Sequence, residues 1–208
     1  MKLGGILSDD EVDLFYDIYL HLLFYINEKL RIMKQFSSYD RDFKKFIEYP
    51  KEKIVSIRDA MYDNHLDLML EYIKKNPYNV SKEHLKIIKE WYAHFIKDNF
   101  IIFRYEKDYT LFYRQKTSRV YAVVALHDPL PLVVGPDLPK FVEAVLLPFK
   151  GKIIYDGILY YMRVIFGKNI KKSILTEAEE AIVKYGVIKS IPEPEHKVVQ
   201  VDDENLLK

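Results

Sequence analysis

Four residues in the second half of the chain have types suited to hydrolysis: His127, Asp128, Glu143 and Asp156. A histidine can act as a general base or a metal ligand, with carboxylates to orient it or share the metal. His127-Asp128 stands where a strand run meets a proline-rich loop, and sites often lie in such loops. Each residue also has a plainer reading. Asp128 precedes Pro129 and suits a turn, His127 suits a half-exposed strand end, and Asp156 before Gly157 suits the first position of a type I′ hairpin turn. One histidine without a second ligand at diagnostic spacing predicts no metal site. No Gly-rich phosphate loop, nucleophile elbow, HExxH frame or dinucleotide fingerprint is present, so no cofactor is implied.

A second candidate is the segment "RDAMYDNHLD", where Asp59, Asp63 and Asp67 recur at i, i+4 and i+8 beside His65. A divalent ion needs oxygens converging from more than one element, so a solvated helix face is the simpler expectation. The third is a cation–aromatic alternation. Arg104, Lys107, Arg114, Lys116 and Arg119 are interleaved with Phe103, Tyr105, Phe112, Tyr113 and Tyr121. Stacking rings with cations between them bind single-stranded nucleic acid, and residues 100–191 hold 14 Lys and Arg against 9 Asp and Glu. Arg104, Tyr105, Arg114, Lys116 and Arg119 are the candidate contacts. Alternation along a strand opposes this reading, because both faces carry apolar residues and one must be covered.

The elements that position these residues follow from periodicity. Ser8 and Glu11 form a capping box, followed by apolar residues at helical period from Val12 to Met33. "SSYDRDFKKFIEY" predicts a short helix stopped by Pro50. A third helix is predicted from Pro50 to Lys75, ended by Asn76-Pro77, and a fourth after Ser81 with Leu85, Ile88, Trp91, Tyr92 and Phe95 on its buried face. From about residue 100 the period changes. "FIIFRYE", "YTLFYRQ" and "RVYAVVAL" predict a three-stranded meander. The loop "HDPLPLVVGPDLP" holds four of the nine prolines and cannot be a central strand. "KFVEAVLLPF", "KIIYD" and "ILYYMRVIFG" predict three strands joined by turns at Phe149-Lys-Gly151 and Asp156-Gly157. A last helix is expected from Thr176, boxed by Glu179, to Gly186, then a strand at "VIKSI".

The fold class expected is α+β: an N-terminal bundle of about four helices, residues 1–99, then a small antiparallel, barrel-like β domain with one C-terminal helix, residues 100–191. A flexible acidic tail is expected over 192–208. The chain has 208 residues, a net charge of +1, a hydrophobic share of 49% and no cysteine. The charge excludes a global field toward nucleic acid or acidic membranes, and the absence of cysteine excludes disulfides and thiolate chemistry. No apolar run approaches a membrane span and no secretory signal is visible, so a cytoplasmic protein without membrane contact is expected.

The stretch from about Trp91 to Ile191 resembles the C-terminal part of uncharacterised bacterial and archaeal proteins. "VEAVLLPFKGKIIYDGIL", residues 142–159, and "KYGVIKSIP" carry the resemblance. Such proteins bring no assigned activity or catalytic residues. The resemblance implies a β-rich module attached to varied helical partners, which favours binding over catalysis.

Three functions are thus expected in descending order. The first is a non-enzymatic module binding another protein or a second copy of itself as a homodimer, suggested also by 17 tyrosines, a residue enriched at interfaces. Single-stranded nucleic-acid binding through the meander comes second. A hydrolase or nuclease built on His127, Asp128, Glu143 and Asp156 comes third.

Overall fold

Helix α1 (Asp9–Leu30) begins where the capping box places it. The Ser8 amide donates to the Glu11 carboxylate at 3.0 Å, and the Glu11 amide donates back to Ser8 Oγ. Such a cap is worth about 1 kcal/mol. Phe15, Leu22, Leu23 and Ile26 along α1 are wholly buried. The helix stops before Met33 because the buried Asn27 side chain pins the following turn. It donates to the Met33 and Phe36 carbonyls and accepts from the Met33 amide. The computed structural model describes residues 5–162 and 167–192 of the chain.

Helix α2 (Tyr39–Ile47) and a short 3-10 turn lead to α3 (Val55–Asn64), α4 (Leu66–Lys75) and α5 (Lys82–His94). The single helix expected over Pro50–Lys75 is therefore two. His65 takes φ −132° and ψ 39° between them. The break lets Ile57 and Met61 of α3 and Met69 and Tyr72 of α4 all reach full burial. One straight helix would have carried part of that set away from the core.

The strands are β1 (Ile96–Tyr105), β2 (Thr110–Arg114), β3 (Arg119–Val124), β4 (Lys140–Phe149), β5 (Lys152–Tyr161) and β6 (Val187–Ile188). β1 begins within the segment assigned to the helical half. Between β3 and β4 the proline-rich loop forms a five-residue helix, α6 (Leu130–Val134); between β5 and β6 lies α7 (Lys168–Tyr185). α7 starts at Lys168 after the cap residue Gly167, well before the Thr176–Glu179 box, so Thr176 is a helix-interior residue.

The sheet order is β2-β1-β4-β5-β3-β6, and β2 also pairs with β3. The pairings from β1 through β2, β3, β5 and β4 therefore return to β1. The expected all-antiparallel arrangement is corrected: β3–β5 and β3–β6 are parallel. The meander with β4 beside β1 has the spatial order of a Greek key.

The two glycine turns of "LLPFKGKIIYDG" separate here. Lys150 and Gly151 have φ 49° and 77°, the two consecutive positive values that a type I′ hairpin needs, and they join β4 to β5. Asp156-Gly157 makes no turn. Gly157 alone takes positive φ, 88°, and β5 runs on through it. Opposite, the register shifts between Ala144 and Leu146, the mark of a β-bulge.

A continuous apolar cluster joins the helices to the sheet. Trp91 of α5 donates from Nε1 to the Pro148 carbonyl at 3.0 Å, and the rings of Phe15 and Phe149 meet edge to face at 6.1 Å. A second cluster lies on the other face of the meander, where Ile101, Phe103, Leu111, Tyr113 and Val120 meet Ile174, Ala178 and Ala181 of α7. Among the described residues no helix is long and apolar enough to cross a membrane. Residues 193–208, most of the expected tail, lie outside the described residues, as do residues 163–166 of the expected strand "ILYYMRVIFG".

Candidate functional site

The bulge at Gly157 turns Asp156 into the interior, where it meets Arg58 of α3. Both side chains are fully buried. Arg58 donates from Nε to Asp156 Oδ2 at 2.6 Å, and from Nη1 to Asp59 Oδ1 at 2.6 Å. Tyr19 of α1 donates to Asp156 Oδ2 at 3.0 Å, and the Ile158 amide donates to Oδ1. Tyr160 of β5 donates to the other Asp59 oxygen at 2.6 Å. The rings of Tyr62 and Tyr160 each lie 5.8 Å from the guanidinium. Burial pushes the Asp156 carboxyl above the usual carboxylate range, against the opposing pull of Arg58. Burial likewise disfavours the Arg58 cation, but the two carboxylates outweigh it and hold the guanidinium protonated. The Asp156 carboxylate accepts four hydrogen bonds away from solvent, and the pair locks α3 to β5.

The charged seam continues outward. Asp59 also lies 3.9 Å from Lys97 of β1, which binds Asp63 directly and has Glu143 of β4 at 3.7 Å. Here a cleft of about 430 Å³ opens, lined by Tyr62, Asp63, Phe95, Lys97, Asn99 and Glu143. The cleft is acidic, and its own lysine already neutralises much of that charge.

The sequence candidates fall in separate places. Asp156 is sealed and Glu143 faces the cleft. His127 and Asp128 are exposed on the loop after β3, with Nδ1 and Oδ1 3.5 Å apart. Asp156 is a structural anion, not the first residue of a turn. Asp59 and Asp63 gather on Lys97, whereas the break at His65 moves Asp67 onto α4. Among the described residues no group of three or more His, Asp or Glu could hold a metal.

The meander is covered on both faces, by the main core and by α7. Arg104 pairs with Glu106 at 2.8 Å and Glu179 at 2.6 Å, and Arg114 pairs with Asp98 at 2.5 Å. The Arg119 guanidinium lies 3.9 Å from the centre of the Tyr185 ring. Tyr105 donates to the Gly135 carbonyl, and Lys116 stands exposed on the turn between β2 and β3. Sequence reasoning passed over Arg58 and Lys97. The signal for Arg58 was present: it sits among Ile54, Ile57 and Met61, a lone cation on a buried stripe.

An exposed apolar corner lies beside the proline-rich loop, and α7 exposes Ile170, Leu175 and Val183 elsewhere on the surface. Leu132 and Val133 of α6 are 69% and 43% exposed, and Tyr161 and Met162 at the end of β5 are 47% and 40% exposed. Tyr161 donates to the Val133 carbonyl at 3.1 Å, so the two pairs adjoin. His127, Asp128 and Asp137 lie on the same loop as α6. Compared with protein-family models, curated proteins and solved structures, the chain matches none.

Proposed function

We propose that this chain is a non-enzymatic, cytoplasmic module that binds another protein, a second copy of itself included. The observation that carries this reading is the corner of Leu132, Val133, Tyr161 and Met162. Adjoining exposed apolar side chains beside polar loop residues have the anatomy of a protein interface. The corner lies in and beside the proline-rich loop, held in place by Tyr161 and by Tyr105 on Gly135. A photo-crosslinking residue at Leu132 should capture a protein in cells, while one at the exposed Glu52 should not. The adduct's mass separates a second copy from a different partner. No adduct at Leu132, or equal adducts at both positions, rejects the reading.

A second reading, single-stranded nucleic-acid binding, is favoured by the ring of pairings. We read the ring as a small barrel, and five-stranded Greek-key barrels carry oligonucleotides on the outer face of their second and third strands. Here the outer face of β2 and β3 holds Tyr113 with Arg119 at its border, and the neighbouring β1 adds Phe103 and Arg104, all beneath α7. The hydrolase reading draws no support, because Asp156 is committed to Arg58 and His127 faces solvent beside Asp128.

A further inference from the structure

We propose that α7 is a displaceable cover that occupies, with its own side chains, the positions a single strand of nucleic acid would take on the β1–β3 face. This rests on the second reading above.

The groups α7 offers the face are of the kinds a nucleic acid offers. Glu179 accepts from Arg104 at 2.6 Å and Glu177 accepts from Gln115 Nε2 at 3.2 Å, two anionic contacts where phosphates would bind. The Tyr185 ring lies against the Arg119 guanidinium, where a base would stack. Between them, Phe103 and Tyr113 present aromatic side chains that are buried by the helix.

The hold of α7 on the sheet is slight for its length. Of its 18 residues, Ile174, Ala178 and Ala181 are the buried ones, and two of these carry only a methyl group. Small side chains bury little apolar area, so their contribution to docking is small. The cluster they join is separate from the main core, so lifting α7 leaves the helices and the inner face of the meander packed. Gly186, with φ 75°, ends the helix in a backbone conformation that can redirect the chain.

The test uses a fluorescent oligothymidylate of about 16 nucleotides, a length within the range one small barrel occupies. Ala178→Glu places a carboxylate beneath the helix and loosens it while adding negative charge, so tighter binding cannot come from a new cation. Ala178→Glu should bind at least about tenfold more tightly than wild type, as it must if the open state is under about a tenth populated. Binding should weaken with salt, and Tyr113→Ala or Arg119→Ala in the same chain should cancel the gain. If Ala178→Glu raises amide exchange over residues 168–185 yet neither it nor wild type binds, the nucleic-acid reading itself fails. If wild type binds through Tyr113 and Arg119 as tightly as Ala178→Glu, the reading stands and the cover fails. A gain that survives both alanine substitutions places the surface elsewhere and overturns both. Should Ala178→Glu not fold, hydrogen exchange on wild type decides: saturating oligothymidylate should speed exchange over residues 168–185, and unchanged exchange overturns the cover.

Discussion

Arg58 Nε and Asp156 Oδ2 lie 2.6 Å apart with neither side chain exposed, 98 residues apart in sequence. The pair ties α3 to the bulged strand β5. Removing Asp156 takes away the fully buried partner of Arg58 and leaves the cation with the half-buried Asp59. Asp156→Asn should cost about 3–5 kcal/mol, whereas Arg58→Met with Asp156→Leu together should cost far less, because both fully buried charges are then gone and Asp59, part-exposed, keeps Lys97 at 3.9 Å. Chemical denaturation of the three proteins checks this; equal losses for the single and double variants would refute it.

Arg58→Met alone should behave differently with pH. Without its cation the Asp156 carboxyl, already raised by burial, rises further. A carboxyl whose folded pKa exceeds its unfolded value contributes stability below the unfolded value and loses it as pH rises through the folded one. The stability gap between wild type and Arg58→Met should therefore narrow as pH falls from about 7 toward about 4. A constant gap across that range would show that the carboxyl is not the origin of the loss.

Gly157 has φ 88°, and a Cβ there would meet Leu126 Cδ1 at 3.2 Å. Gly157→Ala should cost about 1–3 kcal/mol through backbone strain and that contact. It should also shift Asp156, so the loss should shrink in the Arg58→Met, Asp156→Leu background. Additive losses would mean that the bulge and the ion pair are independent.

The sole tryptophan, Trp91, is buried where α5 meets the β4–β5 hairpin. Its fluorescence reports the docking of the helical half on the sheet. Because one apolar cluster spans both halves, urea unfolding followed by Trp91 fluorescence and by far-ultraviolet circular dichroism should give one shared midpoint. Two separated transitions would show that the parts before and after about residue 99 unfold as independent units.

Glu71 gives an acid-side signature. Lys75, with Tyr25 and Lys29, holds its carboxyl at about 2, below the ordinary 4.5. Its stabilisation is present above the unfolded value and is lost as pH falls through the folded one. Glu71→Gln should melt lower than wild type near neutral pH and match it by about pH 2. A difference that persists at the acid end would assign the effect to packing.

Local signals determined much of this protein from the sequence alone. Ser8 with Glu11 sets the start of α1, Ser81 that of α5, and Lys150-Gly151 the β4–β5 hairpin, because each depends on a few neighbouring dihedrals and hydrogen bonds. The alternation of the meander foretold that one of its faces must be covered; the structure covers both. The tertiary structure alone decided what long-range partners fix. His65 breaks a helix so that two faces can reach one core. Asp156-Gly157, a hairpin signal by composition, is drawn into a bulge because Lys150-Gly151 already makes the turn and Arg58 binds the carboxylate. The parallel β3–β5 pairing and the placement of α7 likewise join segments far apart in the chain, and no local preference encodes which distant surface a strand or helix will meet.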